Sequence, residues 1–72
     1  MNIKYGYELK GGDVIMWDFG LRYRVVDCYT EYDFENDGFY VSCGLIECSK
    51  EVRLPNRYRI NLDTMLCVSA KS

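Results

Sequence analysis

Two apolar-rich runs flanking Asp37-Gly38 constrain this chain more than any other feature. Arg22 to Tyr32 is dense in β-branched and aromatic residues, and Phe39 to Ile46 alternates Phe39, Val41, Cys43 and Leu45 against Tyr40, Ser42, Gly44 and Ile46. Such side chains suit a pleated, half-buried surface, and Asp-Gly supplies the positive φ that tight hairpin turns demand. The runs are therefore expected to be the long arms of one antiparallel hairpin joined by an acidic turn, Glu31 to Gly38. In the first arm Arg22, Arg24, Val26, Cys28, Thr30 and Tyr32 share one face, and Tyr23, Val25, Asp27, Tyr29 and Glu31 the other. Neither face is purely polar, which suits a strand bent around a small barrel.

Shorter segments complete the pattern. Val14 to Trp17 follows Gly11-Gly12-Asp13 and leads into a turn-like Asp18-Phe19-Gly20-Leu21, while Tyr58 to Leu62 and Met65 to Val68 are separated by Asp63-Thr64. Between them Leu45, Cys48 and Val52 fall at helical spacing ahead of Pro55, so one short helix or 3-10 turn between residues 45 and 57 is one expectation. A polar turn at Glu47 to Lys50 followed by a strand at Glu51 to Leu54 is its rival. With no repeat or linker, residues 1–72 are expected to form a single small all-β domain. Val14, Met16, Val26, Val41, Leu45 and Val68 are its expected core, with Trp17 near one end of the barrel.

The order Leu9-x-x-Gly12-Asp13-Val14-Ile15, then a turn, then Tyr23-Arg24-Val25-Val26-Asp27, resembles the opening of small five-stranded barrels of the SH3-like type, including many short proteins of phage and prophage origin. The glycine-aspartate pair has a physical reason to recur, since a tight turn into the first strand needs backbone freedom and a short acceptor for free amides. What the resemblance implies is a five-stranded SH3-like barrel. That fold hosts binding to peptides, proteins, RNA and DNA alike, so it implies no single function. In its peptide-binding subset an aromatic groove lies beside acidic loops. Tyr29, Tyr32 and the loop from Asp33 to Asp37 imitate that groove without reproducing its spacing, so no binding residue is carried over.

Charge narrows the function. Nine basic against eleven acidic residues, a net of −2 and no histidine give no global attraction to duplex DNA or an anionic membrane, and remove the usual near-neutral proton shuttle. Met1 to Glu8 lacks the apolar run of a signal peptide and Val14 to Trp17 is too short to cross a bilayer, so a cytoplasmic location is expected. There Cys28, Cys43, Cys48 and Cys67 are expected to be reduced thiols, with disulfides or a metal as the alternatives. Cys43-x4-Cys48 is loose for zinc, and Cys28 and Cys67 sit on separate predicted strands. Asp33-Phe34-Glu35-Asn36-Asp37-Gly38 imitates a calcium loop, but position 12 is Gly44 where a bidentate glutamate is required. Cys48 has no histidine to activate it. Neither a metal, another cofactor nor an enzymatic activity is expected.

Two binding surfaces remain in competition. Glu31 to Asp37 concentrates acids and aromatics where folding requires neither, so Tyr29, Tyr32, Asp33, Phe34, Glu35 and Asp37 are the expected partner-binding residues. The duplicated Arg22-Tyr23-Arg24 and Arg57-Tyr58-Arg59, with Arg53, instead make a basic strip if those segments are neighbours. Such a strip beside tyrosines suits single-stranded nucleic acid, or else it is a solvated face balancing Asp27, Glu31 and Glu51. The leading expectation is a non-catalytic protein-binding module, a phage-type regulator or inhibitor occluding a host protein. A single-strand nucleic-acid binder and a self-assembling structural subunit are the alternatives.

Overall fold

The hairpin forms where the alternation places it, and it organises everything else. A computed structural model describes residues 2–17 and 20–69 as an all-β chain with strands β1 (Asn2–Tyr5), β2 (Val14–Met16), β3 (Arg22–Asp33), β4 (Gly38–Glu47), β5 (Val52–Arg53), β6 (Tyr58–Asn61) and β7 (Met65–Val68). All pairings are antiparallel, in the order β1-β7-β2-β3-β4-β5, with β6 also on β4. The resulting sheet is open and has seven strands, where a five-stranded barrel was expected. Since β3 occupies one side of β4 throughout, β5 and β6 lie end to end along its other side. Leu54 N donates to Leu45 O at 2.9 Å and continues that ladder, which then breaks where Pro55 has no N–H to offer. Among the described residues no ladder joins β6 to β1. A 3-10 turn, Gly6–Glu8, bridges that gap, with Gly6 N and Tyr7 N donating to Thr64 O and Leu62 O at 2.9 and 3.1 Å. Gly6 is needed there, because a Cβ would overlap the Asn61 carbonyl. On the free edge of β1, Tyr5 N is taken by Glu8 Oε1 at 2.8 Å.

The core is Leu9, Ile15, Val25, Val41, Cys43, Leu45, Ile60 and Val68. Val41, Leu45 and Val68 lie where the sequence puts them, but Val14 and Met16 are only half-buried and Val26 is 38% exposed, while Ile15 and Val25 are sealed at 0% and 1%. For β2 the reason is that Val-Ile-Met, apolar throughout, has no period to read. In β3, Val25 pairs with Leu45 and Asp27 with Gly44, leaving Val26 as an extra residue in a β-bulge. A bulge reverses the parity of the strand, so Tyr23 and Val25 face inward before it and Cys28 after it. The mixed faces of the first arm follow directly. Trp17 packs on the core and meets Tyr23 and Tyr58 edge-to-face at 5.8 and 4.9 Å.

No helix forms between residues 45 and 57. Strand β4 runs on to Glu47, residues 48–51 turn with Glu51 at φ 54, and Val52 returns opposite Glu47. Ile46 and Glu47 pairing with β5 outweighs the local helical spacing. The turn expected at Asp18-Phe19-Gly20-Leu21 lies half outside the described residues, though Gly20 has φ 76 and Trp17 N donates to Leu21 O at 2.7 Å. The glycine-aspartate turn takes the form expected of it. Gly12 has φ 97, and the buried Asp13 accepts Lys10 N and Lys4 Nζ, both at 3.0 Å, on Oδ2.

Ile15→Ala is expected to cost about 2–5 kcal/mol of stability, and Val26→Ala no more than about 0.5, because only the first empties a sealed site. Urea unfolding of the two variants against the parent measures both.

Candidate functional site

Strand β6 pairs with β4 only from Tyr40 to Cys43, and β3 and β4 continue past it through the rungs Tyr32↔Phe39 and Asp33↔Gly38. The end of the hairpin is therefore a two-stranded finger, a form that is only marginally stable without side-chain support. Its support is local. Asp33 Oδ1 accepts the amides of Glu35 and Asn36 at 3.0 and 3.4 Å, Asp33 Oδ2 accepts Asn36 Nδ2 at 2.8 Å, and the Tyr32 hydroxyl donates to Asp37 Oδ1. Asp37, at φ 53, supplies the left-handed residue of this turn. The Asn36 amide, helped by the Glu35 and Asn36 backbone N–H groups and Arg59, holds the Asp33 carboxyl below its usual range.

This frame carries an aromatic cluster. Tyr32 meets Phe34 and Phe39 edge-to-face, with ring centroids 4.9 and 5.1 Å apart, yet Phe34 remains 88% and Phe39 57% exposed. Beside it lies an open groove of about 520 Å³ between Phe34 and Arg59, lined also by Glu31, Asp33, Glu35 and Tyr40. The Tyr40 hydroxyl donates to Glu31 Oε2 at 2.5 Å, which holds the phenol above its usual range, and the Arg59 guanidinium lies 4.6 Å from the Tyr40 ring centroid.

Of the residues named from sequence, Tyr32, Asp33, Phe34 and Glu35 gather at this groove, and Asp37 is tied to Tyr32. Tyr29 is not part of it; it lies further back on the outer face, under Arg57. Glu31, Phe39 and Tyr40 were not among the residues named for this site, and Arg59, named from sequence for the basic strip, also lines the groove. The first three were within reach, because the hairpin turn itself places Tyr32 opposite Phe39 and Glu31 opposite Tyr40.

The arginines do assemble. Ile46 is opposite both Arg24 and Arg53, and Ser42 is opposite Arg59, so the outer face of β3, β4, β5 and β6 carries them in one strip, with Arg22 two residues before Arg24. Tyr23 and Tyr58 alternate inward onto Trp17. Two of the five arginines are ion-paired within the fold. Arg57 donates from Nη2 to Asp27 Oδ1 at 2.9 Å and to Ser42 O at 3.1 Å, donates from Nε to Ser42 Oγ at 2.7 Å, and covers Tyr29 at 4.6 Å. Gly44 lies beneath this knot, where a Cβ would come within 2.9 Å of Asp27 Oδ1. Arg24 reaches Glu51 at 3.7 Å, and only Arg22 and Arg53 of the strip lack both an ion pair and an aromatic partner among the described residues.

Cys28, placed apart from the other cysteines by the sequence reading, is directly opposite Cys43 in the β3–β4 ladder. Burial pushes the Cys43 thiol up to about 11, and raises Cys28 together with the Asp13 and Asp27 carboxylates, against Arg57. Among the described residues no three acidic, cysteine or histidine side chains are grouped to hold a metal ion, and no helix is long and apolar enough to cross a membrane. No family model, curated protein or solved structure matches this chain.

Two measurements follow from this geometry. Arg57→Lys loses the Nε bond to Ser42 and the planar stacking on Tyr29, and is expected to cost about 1 kcal/mol in urea unfolding. Asp33 has a lowered value in the folded chain, so its turn is intact above the ordinary aspartate range and is lost as pH falls through that lowered value. Carboxyl NMR should show Asp33 titrating below the ordinary 3.8, with Asn36→Ala moving it upward.

Proposed function

We propose that this chain is a non-catalytic protein-binding module that docks the end of its β3–β4 hairpin onto a basic, apolar-pocketed surface of a partner protein. One observation carries this reading: Phe34 is 88% exposed although its ring is held against Tyr32. An aromatic side chain kept in water and already fixed in orientation loses little further freedom on burial, which is the property of an interface anchor. Glu31, Asp33, Glu35 and Asp37 surround it with negative charge that steers a cationic partner. The resemblance of Leu9 to Asp27 to phage-type SH3-like barrels favours a regulator or inhibitor that occludes a host protein in the cytoplasm. The absence of histidine and the protonated thiols of Cys28 and Cys43 support a role without catalysis.

The common face of Arg22, Arg24, Arg53, Arg57 and Arg59 favours a second reading, capture of single-stranded nucleic acid. It is the weaker one, because Arg57, Arg24 and Arg59 already have partners within the chain.

The test is a lysate capture with the parent and Phe34→Ala chains, followed by binding kinetics on the captured protein. Phe34→Ala is expected to lose about 2 kcal/mol of affinity with unchanged folding stability. Glu35→Gln with Asp37→Asn is expected to slow association chiefly at low ionic strength. Unchanged affinity of Phe34→Ala, together with a salt-sensitive shift of single-stranded DNA or RNA abolished by Arg53→Ala with Arg22→Ala, would move the site to the arginine strip.

A further inference from the structure

We propose that Cys28 and Cys43 are a paired redox site, closing into a cross-strand disulfide when the chain meets a small-molecule disulfide such as oxidised glutathione. The two residues are direct partners in the antiparallel ladder, so their Cα atoms stand about 4.5–5.5 Å apart, inside the range a disulfide spans without backbone movement. Both side chains belong to the inner face, because the extra residue at Val26 turns Cys28 toward the core that holds Cys43. Their exposures differ usefully: Cys43 is sealed at 0%, whereas Cys28 is half-buried and open to a small reagent. Cys48 and Cys67 have no such companion. Cys48 follows β4 in a turn, and Cys67 stands opposite Ile3 and Met16.

The chemistry proceeds in two exchanges. The Cys28 thiolate attacks one sulfur of oxidised glutathione, its S–S bond breaks, and one glutathione thiolate leaves and takes up a proton. The Cys43 thiolate then attacks the Cys28 sulfur, expelling the second glutathione. Two protein thiols are oxidised, one glutathione disulfide is reduced, and both protein protons end on the released thiols. At present the Cys28 thiol donates to Leu9 O at 3.0 Å, a bond that closure removes. Oxidation therefore exchanges a contact between β3 and the buried Leu9 for a covalent rung between β3 and β4. That rung lies below Tyr29↔Ser42, Thr30↔Val41 and Glu31↔Tyr40 on the stem leading to the aromatic tip. Burial and the Asp13 and Asp27 carboxylates, opposed by Arg57, keep Cys28 protonated near neutrality, so closure is slow there and accelerates with pH.

The experiment treats the full chain carrying Cys48→Ser and Cys67→Ser with oxidised glutathione at pH 7 and pH 9. The expected product has lost two hydrogens by intact mass, yields a linked Cys28 and Cys43 peptide pair on digestion, and unfolds at higher urea until a thiol reductant restores the original midpoint. Its formation should be many-fold faster at pH 9, and Cys28→Ser in the same background should abolish it. A stable glutathione adduct on Cys28, crosslinked dimers, or two unreacted thiols would each overturn the proposal. Peptide mapping of the oxidised parent chain gives the same decision without relying on the serine substitutions, since linkage through Cys48 or Cys67 in place of Cys28–Cys43 also refutes it.

Discussion

One extra residue, Val26, sets the arrangement of the whole outer surface. Had β3 run without a bulge, its outer face would have continued Arg22, Arg24, Val26, Cys28, and its acids would have pointed toward the core. With the bulge, the outer face reads Arg22, Arg24, then Asp27, Tyr29, Glu31, and the last three each meet a partner: Asp27 and Tyr29 meet Arg57 from beyond β4, and Glu31 meets Tyr40 on β4 itself. The same slip seals Val25 and turns Cys28 inward. Placing an extra residue on one strand costs a rung of hydrogen bonding, and here it yields both a sealed Val25 and an outward Asp27 paired with Arg57.

The free end of the hairpin follows from lengths alone. β3 has twelve residues and β4 ten, while β6 has four, so the third strand is exhausted opposite Tyr40. Past that point there is no core to bury an aromatic side chain. Tyr32, Phe34 and Phe39 consequently pack on one another. Asp33 and Asp37 then act as structural members of the turn as well as sources of charge, which leaves Glu35 as the tip acid whose side chain has no hydrogen-bond partner among the described residues.

The hairpin, the order of the later strands and most of the acidic site were legible because they rest on local signals: alternation in Phe39 to Ile46, a turn dipeptide, and a cluster of acids in seven residues. What was not legible depends on pairing across distance. Nothing in Val25-Val26 states which valine is surplus, since that is decided by Leu45 and Gly44 on the opposite strand. The helical spacing of Leu45, Cys48 and Val52 is real but is overridden by backbone pairing to β5. Strand β1 alternates as Asn2-Ile3-Lys4-Tyr5, but it lies at the rim with Ile3 and Tyr5 both exposed, so four residues of alternation marked no buried face. Arg59 reaches the acidic groove only through the register of β6, which no neighbouring residue encodes.

An open sheet has two rims, and each is an invitation to polymerise by strand addition. In this chain each rim is interrupted by its own sequence. Along β4 the outer strand is split into β5 and β6 at Pro55, so no long run of unpaired backbone is presented. At the other rim β1 is four residues long, and the Glu8 carboxylate occupies the Tyr5 amide that an incoming strand would use. The rims themselves thus offer an incoming strand little to pair with, and among the described residues the longer open edge is that of β3 beyond Cys28, on the flank of the hairpin that carries Phe34 and Phe39.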